Sequence, residues 1–425
     1  MARVAGLECL RCKHMLDAFA FKGDCPNCRS DAPSNLVVVY QKDEGAFRAR
    51  PRPSGGGLGL WRYGDILPVS REEAVSLGEG GTALHSLASL GSALGLPALL
   101  GKDETRNPTG SFKDRLACIA VSTAKKLGAS AVVSSSTGNA GASVAAYAGK
   151  ADIPCVVFSA GAGGPSLAQM RVFGATVVSL ARKDQRWPLM RRAVEQFGWF
   201  PTSPFFGPVV GSNPYGLEGY KTLAYEIAED LHWRVPDCCV LPVCYGDALI
   251  GMWRGFEEIM ALGWTDRMPR MFAAEIYGSL SAAMSEGGDA LPDMPTTHET
   301  LAKSTTATRS TYQALYTLRN SGGSATSVSN EAILEYQAKL ARLEGLYVEP
   351  ASAGAIAATA QLKASGHIHE DETVVVLLTA SGLKDPQATT GPLGELPVVD
   401  AEPEAVFSQL RKTAPKAFSL GRTGQ

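Results

Sequence analysis

The stretch that decides the fold is Asn107-Pro-Thr-Gly-Ser-Phe-Lys-Asp-Arg115. Its proline and glycine predict a turn, and the apolar spacing that follows predicts a helix over about Ser111 to Leu127. Lys113 therefore falls in the first helical turn, where the helix macrodipole disfavours a cation. Burial there would favour the neutral amine, which is the form that condenses with a carbonyl. An ion pair of Lys113 with Asp114 or Asp103 is the alternative explanation.

Strands and helices alternate on both sides of this stretch. That alternation predicts an α/β fold of doubly wound parallel sheets with helices on both faces. A polar, irregular segment at 278–310 interrupts it and reads as an active-site cover or an insertion. The predicted strands are 98–101, 131–134, 154–158, 176–180, 238–243, 270–275 and 373–379, and the other helices are 139–148 and those beginning near 166 and 247.

Composition narrows the class of protein. The 425 residues are 45% hydrophobic and 19% charged, which is typical of a globular chain of two or three domains. A formal net charge of −2 gives no electrostatic reason to expect nucleic acid or an anionic membrane as a partner. We find no apolar run long enough for a membrane helix and no signal-peptide pattern, so we expect a soluble, cytoplasmic protein.

Four of the nine cysteines form two CxxC pairs near the N-terminus, Cys9 with Cys12 and Cys25 with Cys28. The twelve residues between the pairs suit a hairpin that brings the four thiolates to one tetrahedral ion. The spacing predicts a structural Zn²⁺ ribbon. A leftover cluster of reduced thiols and a redox dithiol are the alternatives, and the balance of charge argues against a nucleic-acid role.

Two further strand-to-helix turns carry polar groups. Ser134-Ser-Ser-Thr-Gly-Asn-Ala-Gly141 places hydroxyls and a carboxamide before a helix whose free amides can hold a carboxylate, although helix capping explains it equally well. Pro242-Val-Cys-Tyr-Gly-Asp-Ala248 leads a strand into a helix through a glycine, where backbone N–H groups can hold a phosphate. Ligands of parallel sheets bind at such turns.

Taken together, the three turns resemble the fold-type II pyridoxal-phosphate (PLP) enzymes of the tryptophan synthase β-like superfamily, and most closely the threonine synthase group. The resemblance covers about residues 7–385. Besides the cysteines and the stretch quoted first, the matching segments are Gly59-Leu-Trp-Arg-Tyr63, Leu77-Gly-Glu-Gly80, Ser136-Thr-Gly-Asn-Ala140, Asn213-Pro-Tyr215, Leu217-Glu-Gly219, Glu349-Pro-Ala-Ser352 and Leu378-Thr-Ala-Ser-Gly-Leu-Lys-Asp385.

The resemblance implies roles for residues at matching positions. Lys113 matches the catalytic lysine that carries PLP, and Asn139 matches the asparagine that bonds the cofactor O3′. Thr379 matches the residue facing the pyridine nitrogen, where a hydroxyl favours elimination or replacement over transamination. The substrate α-carboxylate would lie on Ser136, Thr137 and Ala140. The cofactor phosphate would lie on the turn formed by Val243, Cys244, Tyr245, Gly246, Asp247 and Ala248.

The resemblance also implies an organisation and an assembly. We expect a zinc ribbon at 1–40, an arm or linker at 41–75, a PLP-dependent catalytic region at 76–385 and a C-terminal tail at 386–425. Within the catalytic region a smaller domain, about 125–215, is inserted into a larger one. The group's members imply a homodimer that acts on a small amino acid.

Four positions depart from the group's pattern. The group has Arg-Leu-Glu-Gly-Gln-Lys-Thr where this chain has Gly216-Leu-Glu-Gly-Tyr220-Lys-Thr. That arginine grips the phosphate of O-phosphohomoserine, so Gly216 removes a strong anion ligand, and Tyr220 offers a ring and hydroxyl to the substrate instead. Asp247 would repel a phosphate, so we read it as a helix N-cap. Arg309 is a candidate relocated anion ligand, or a surface residue.

These departures shape the expected function. The leading hypothesis is a PLP-dependent lyase or synthase that eliminates or replaces a β- or γ-substituent of a small amino acid other than O-phosphohomoserine. The alternative is a genuine threonine synthase, which converts O-phosphohomoserine to threonine and phosphate. Two other classes are a non-catalytic protein that binds PLP and zinc, and a zinc-ribbon nucleic-acid factor.

Overall fold

The computed structural model describes residues 4–18, 21, 23–28, 32–41, 59–161, 163–393 and 395–418. Residues 1–386 form one compact unit and residues 387–425 form a second. Part of the arm expected at 41–75, namely residues 42–58, lies outside the described residues. The rest packs against the core, because a 3-10 helix at Gly59–Ile66 buries Trp61 and Tyr63.

A small antiparallel sheet at the N-terminus contains the cysteine pairs. Its strands are β1 (Val4–Cys9), β2 (Met15–Leu16) and β3 (Leu36–Tyr40), in the order β2-β1-β3. Leu7, Leu36 and Val38 from this sheet pack together with Tyr215 of the main body. The ribbon is therefore anchored by an apolar contact rather than tethered loosely.

The larger of the two main sheets has six strands, and all of its pairings are parallel except that of the last edge strand. Its central strand reads Val-Val-Val-Leu-Leu and is buried throughout, as expected where helices cover both faces. In spatial order the strands are β12 (Ala325–Ser327), β11 (Arg270–Glu275), β10 (Cys238–Pro242), β13 (Val374–Leu378), β5 (Leu99–Asp103) and β4 (Leu84–Ser86).

The second sheet belongs to a chain segment inserted between β5 and β10 of the first. It has four parallel strands, in the order β8 (Thr176–Ser179), β7 (Cys155–Ser159), β6 (Val132–Ser135) and β9 (Phe200–Pro201). These bounds lie within the smaller domain expected at about 125–215. The α/β fold with parallel sheets is thus confirmed.

Helices connect the strands of both sheets. In the first unit they are α1 (Ala88–Leu94), α2 (Lys113–Lys126), α3 (Asn139–Ala151), α4 (Gly164–Val172), α5 (Arg186–Phe197), α6 (Pro214–Asp230), α7 (Asp247–Ala261), α8 (Ser279–Glu286), α9 (Tyr312–Ser321), α10 (Asn330–Glu344) and α11 (Pro350–Ala364). Helix α12 (Pro386–Leu393) lies at the boundary of the two units, and the second unit contains α13 (Pro403–Thr413).

Two features differ from the sequence-based expectations. The segment at 278–310 is not irregular throughout, because it contains α8 and a 3-10 helix at Lys303–Thr305. Strand β4 is an antiparallel edge strand that no pattern predicted. Among the described residues, no helix has both the length and the apolar character needed to cross a membrane.

Helix α6 lies between α2 and α7 and fixes their separation through glycine contacts. A Cβ atom built on Gly219 would lie 1.8 Å from the Arg115 carbonyl oxygen of α2. On α7, a Cβ atom built on Gly255 would lie 2.4 Å from the Lys221 carbonyl oxygen of α6. Because α2 begins at Lys113 and α7 begins after the glycine turn, this close packing sets the distance between the two main features of the site.

Candidate active site

The predicted site residues lie at the carboxyl ends of strands in both main sheets. Lys113 follows β5, Thr379 follows β13, and Gly246 ends the turn after β10. Asn139 follows β6 of the smaller sheet. Carboxyl ends of parallel strands are where ligands bind in such folds, so the topology places these residues in one region.

Lys113 is the first residue of α2, and two aromatic rings lie beside its amine. Its Nζ atom lies 4.4 Å from the centre of the Phe112 ring and 5.6 Å from that of Tyr220. Burial lowers the pKa of Lys113, and the carboxyl groups of Asp247 and Glu349 oppose this only in part. The amine is thus shifted toward the neutral, nucleophilic form.

The alternative ion pair of Lys113 is not formed. Both Asp114 carboxylate oxygens accept hydrogen bonds from Thr109, one from its backbone N–H and one from its hydroxyl, each at 2.7 Å. Asp103 accepts from the backbone N–H of Thr105 at 3.0 Å. Within the described part of the chain, no carboxylate lies within ion-pair distance of the Lys113 amine.

The turn after β6 combines a helix cap with free donors. The Ser136 hydroxyl accepts hydrogen bonds from the backbone N–H groups of Gly138 at 3.2 Å and Gly141 at 2.9 Å, so it caps α3. Thr137 is exposed. The Ala140 N–H has no acceptor among the described residues. Thr137 and Ala140 thus keep the capacity to bind a carboxylate, and the Ser136 hydroxyl, which accepts both of these bonds, still has its hydrogen to donate.

Asn139 and Thr379 meet at a buried carboxylate that our sequence-based site does not include. Glu349 accepts hydrogen bonds from Asn139 Nδ2 at 2.9 Å and from Thr379 Oγ1 at 3.3 Å. The Ser304 hydroxyl donates to it at 3.2 Å. Burial raises the pKa of Glu349. The sequence could have indicated Glu349 as a site residue, because it is the first residue of the matching segment Glu349-Pro-Ala-Ser352.

The turn from Val243 to Ala248 has the form of an anion cradle. Gly246 has φ +72°, and a Cβ there would lie 2.5 Å from Ala314, so only glycine fits. Within the described residues, no acceptor takes the backbone N–H groups of Asp247 and Ala248 at the start of α7. Burial raises the pKa of the Cys244 thiol to about 11, so this thiol adds no negative charge at neutral pH.

The predicted N-cap role of Asp247 is wrong. Gly246 is the N-cap, and Asp247 is the first residue of α7. The Asp247 carboxylate accepts from the Ser212 N–H at 3.0 Å, the Ser212 hydroxyl at 2.6 Å and Gln313 Nε2 at 2.7 Å. These three donors from neighbouring segments satisfy the carboxylate, which leaves the helix-start amides to another anion.

A chain of amide hydrogen bonds joins the ribbon to this turn. Asn35 Nδ2 donates to Gln313 Oε1 at 3.0 Å and to the Ser212 carbonyl at 3.1 Å. Gln313 Nε2 donates in turn to the Tyr245 carbonyl at 2.8 Å and to Asp247. Asn35 and Gln313 are both buried, so each amide hydrogen has a fixed acceptor.

The departing positions lie in three different environments. Tyr220 is fully buried, stacks on Phe112 at 5.3 Å between ring centres, and has a hydroxyl with no partner among the described residues. A Cβ built on Gly216 would lie 2.9 Å from Leu116 Cγ of α2. Arg309 is exposed, and its Nε donates to the Leu291 carbonyl at 2.7 Å.

The four ribbon cysteines converge on one point. The Sγ atoms of Cys9 and Cys28 are 3.7 Å apart, and those of Cys12 and Cys25 are 3.6 Å apart. All four sulfur atoms lie within 4.8 Å of one another. The group can therefore hold one metal ion.

This fold, with a lysine, an asparagine, a threonine and a helix-start cradle at the carboxyl ends of its parallel strands, is that of a PLP-dependent enzyme. Residues 75–380 match the family described as "Pyridoxal-phosphate dependent enzyme", and the chain belongs to that family. Threonine synthase of Methanosarcina acetivorans is 40% identical over 358 residues, which is 82% of this chain and 85% of that protein. Threonine synthase of Methanocaldococcus jannaschii is 38% identical over 78% of this chain and 82% of its own length.

Solved structures show the same fold at lower sequence identity. The processed form of threonine deaminase isoform 2 from Solanum lycopersicum aligns with a TM-score of 0.63 at 18% identity, covering 83% of this chain and 94% of that one. The predicted fold-type II class and the resemblance to the threonine synthase group are confirmed. These similarities identify the family and the fold, and the substrate is considered below.

Proposed function

We propose that the protein is a threonine synthase, which converts O-phosphohomoserine and water to threonine and phosphate. The observation that carries the proposal is the 40% identity to a threonine synthase along more than four-fifths of both chains. This reverses the order of the two hypotheses drawn from the sequence. The geometry supports it, because Lys113 and Thr379 follow the neighbouring strands β5 and β13 of the larger sheet, and Thr137 and Asn139 follow β6 of the smaller sheet.

The donors present fit PLP, because the N–H groups of Asp247 and Ala248 at the start of α7 have no acceptor among the described residues. Lys113 would carry the cofactor, Asn139 and Thr379 would face its ring, and the helix-start amides of Asp247 and Ala248 would receive its phosphate. Bound PLP supplies an electron-withdrawing ring that makes the α-proton of an attached amino acid acidic. The Thr379 hydroxyl cannot protonate the ring nitrogen as a carboxylic acid would, which favours chemistry beyond Cα over amino-group transfer.

Proton movement would belong to Lys113. Burial lowers its pKa, which favours the free amine, and the free amine is the base that can take the α-proton and return it elsewhere on the carbon chain. Thr137 and the Ala140 N–H would bind the substrate α-carboxylate and orient it. Loss of phosphate from the γ-carbon and addition of water at the β-carbon balance the overall reaction.

We propose that the ribbon binds a structural Zn²⁺. With a Zn–S bond of about 2.3 Å, tetrahedral geometry requires sulfur atoms about 3.8 Å apart. The measured separations of 3.6 and 3.7 Å agree with that value. The homodimer and the cytoplasmic location stay predictions, and light scattering of the purified protein tests the first of them.

One observation favours a second candidate function, the use of another β- or γ-substituted small amino acid. The group's phosphate-gripping arginine is glycine here, and α2 fills the space beside Gly216. An enzyme specialised for a different leaving group would have no need of that arginine. Phosphoserine, serine and acylserine are the substrates that this candidate predicts.

A substrate panel separates the two candidates. The holoenzyme is mixed with O-phosphohomoserine, O-phosphoserine, serine and O-acetylserine, and the cofactor absorbance, phosphate release and amino-acid products are measured. We expect threonine and phosphate from O-phosphohomoserine at the highest kcat/KM, with no turnover by Lys113→Ala. Preferred turnover of another compound would support the second candidate. An absorbance that no amino acid changes would contradict both and favour a non-catalytic protein.

A further inference from the structure

A cavity of about 610 Å³ opens beside the cofactor turn, and no role assigned above uses it. Its walls are apolar and its charged groups are mainly cationic. The residues that matter here are Lys183, Asp184, Arg186, Trp187, Phe205 and Tyr245.

The cavity lies at the carboxyl ends of strands from both main sheets. Lys183 and Arg186 follow β8, and Phe205 follows β9 of the smaller sheet. Tyr245 follows β10 of the larger sheet and belongs to the cradle assigned to the cofactor phosphate. Lys183, Arg186 and Tyr245 line the same cavity, so both cations lie near the residue that leads into the cradle.

Arg186 is held in a position that an isolated cation does not favour. It is the first residue of α5, where the macrodipole is positive, and the first turn of α5 has no acidic residue. The residue is only 7% exposed, and its burial lowers its pKa. Its Nε donates to the Lys183 carbonyl at 3.2 Å, which orients the guanidinium. Within the described part of the chain, no carboxylate pairs with it.

The other charges around the cavity are already compensated. Asp184 accepts hydrogen bonds from Arg182 at 3.2 and 3.3 Å. Arg191, which also lines the cavity, pairs with Glu195 at 2.7 Å. Lys183 and Arg186 are left as two cations without a described counter-charge. An anion in the cavity would offset the cost of burying Arg186.

We propose that Lys183 and Arg186 form the subsite for the anionic group on the substrate side chain, a phosphate monoester. The proposal rests on the proposed function and adds to it the residues that recognise the leaving group. It also explains how the chain dispenses with an arginine at position 216, because the smaller domain supplies the cations in its place. Trp187 and Phe205 give the subsite an apolar wall, beside which a charge interaction is stronger than in bulk water.

Matched arginine variants test the subsite. Arg186→Gln removes the buried cation, and Arg186→Lys keeps the charge but loses the forked donors. Arg192→Gln is the control, because Arg192 lies exposed on the same helix with its Nε on Gln196. For each holoenzyme, kcat/KM for O-phosphohomoserine and the dissociation constant of inorganic phosphate, from phosphorus NMR line broadening, are measured.

We expect Arg186→Gln to lower kcat/KM and to weaken phosphate binding, each by about tenfold to a hundredfold, with partial recovery in Arg186→Lys. Arg192→Gln should match the wild type. Equal values for Arg186→Gln and Arg192→Gln would overturn the proposal, as would wild-type protein that binds no phosphate. If the wild type binds phosphate through Arg186 but does not convert O-phosphohomoserine, the subsite stands and the proposed function fails.

Discussion

At the scale of single residues, the site depends on groups whose charge state is set by burial. Burial lowers the pKa of Lys113 and raises the pKa of Glu349, so the uncharged form of each group is favoured relative to the same group in water. Both groups face the region assigned to the cofactor. Such pKa shifts in opposite directions, lowered for a lysine and raised for a glutamate, are typical of residues at functional sites.

The role of Glu349 is testable by the isosteric change Glu349→Gln. The carboxylate accepts from Asn139 and Thr379 at once, and an amide of the same size must turn a donor toward one of them. We expect the variant to lose cofactor about tenfold faster or more, measured by absorbance after dilution.

The pH dependence gives that prediction an independent check. As the pH falls through the raised pKa of Glu349, the wild-type carboxyl gains a proton and loses acceptor capacity, so cofactor retention should fall. Glu349→Gln should lack this acidic limb. Ser285→Ala is a suitable control, because Ser285 is exposed and bonds only its own helix. Parallel pH profiles in Glu349→Gln and the wild type would refute the assignment.

Individual residues show what a sequence can predict about a site. Lys113 and the four cysteines were identifiable because their chemistry depends on residue type and local spacing. The hydrogen bonds of Asp247 were not predictable, because its partners Ser212 and Gln313 are distant in sequence and only the fold brings them to its carboxylate. Glu349 was visible as part of a motif, but its contact with Asn139 spans 210 positions.

At the scale of elements, the ribbon supports the cofactor turn and is more than an appendage. The Leu10 N–H donates to the Asn35 carbonyl at 3.2 Å, and the Cys25 N–H donates to the Ser34 carbonyl at 3.1 Å. Both cysteine pairs thus hold the segment that carries Asn35. Asn35 in turn contacts Gln313, which contacts Tyr245.

Asn35→Ala should therefore weaken cofactor binding, although Asn35 itself belongs to the ribbon and not to the cofactor turn. Removing the amide leaves the Gln313 carbonyl and the Ser212 carbonyl without their donor, which frees Gln313 to move away from the turn. We expect faster release of cofactor with metal content unchanged, measured by absorbance and by elemental analysis. Chelation of the metal should produce the same faster release.

A change elsewhere in the ribbon gives the control. Lys13→Gln alters an exposed residue whose ion pair is with Glu8 of the ribbon itself. It should leave cofactor release unaltered. Release that is equally slow in Asn35→Ala and Lys13→Gln would contradict a connection between ribbon and turn. Strand β10 and helix α7, which flank the cofactor turn, lie within a few residues of their predicted positions, but this connection was not predictable, since no local pattern encodes it.

At the scale of the whole molecule, one buried charge network ties both sides of the larger domain together. Arg115 of α2 donates from Nε to Glu104 at 2.7 Å and from Nη1 to Glu226 of α6 at 2.8 Å. Lys102 of β5 pairs with Glu226 at 3.0 Å. All four side chains are fully buried. Strand, helix and turn are thus joined beneath the site.

Glu226→Gln should destabilise the fold by about 3 to 5 kcal/mol, because it leaves Arg115 and Lys102 with less counter-charge in the interior. Denaturant unfolding of the apoprotein measures this. The exposed pair of Glu73 and Lys126 supplies the control, since Glu73→Gln should cost less than about 1 kcal/mol.

The sign of the pH effect follows from the direction of the pKa shift. The pKa of Glu226 lies well below its unfolded value of 4.5, mainly because Arg115 and Lys102 outweigh the cost of burial. The stabilisation is complete above pH 4.5 and is lost as the pH falls further. The difference between the wild type and Glu226→Gln should narrow below that pH. A difference that grows with acidity would contradict this account.

The fold class of the whole molecule was predictable, because local hydrophobic patterns indicate the alternation of strands and helices. The network was not, because Arg115, Glu104 and Glu226 read separately as ordinary charged residues. Their pairing depends on how α6 approaches α2. The burial of these three side chains, which come from separate elements, in one place depends on the tertiary fold alone.

That approach also constrains how this chain can change. Because a Cβ on Gly216 would lie 2.9 Å from Leu116 Cγ, an arginine at position 216 would press α2 and α6 apart. An engineered anion ligand at this position would therefore loosen the helix that begins at Lys113. A redesign of specificity is better directed at the smaller domain, where side chains can be exchanged without disturbing the helix pair.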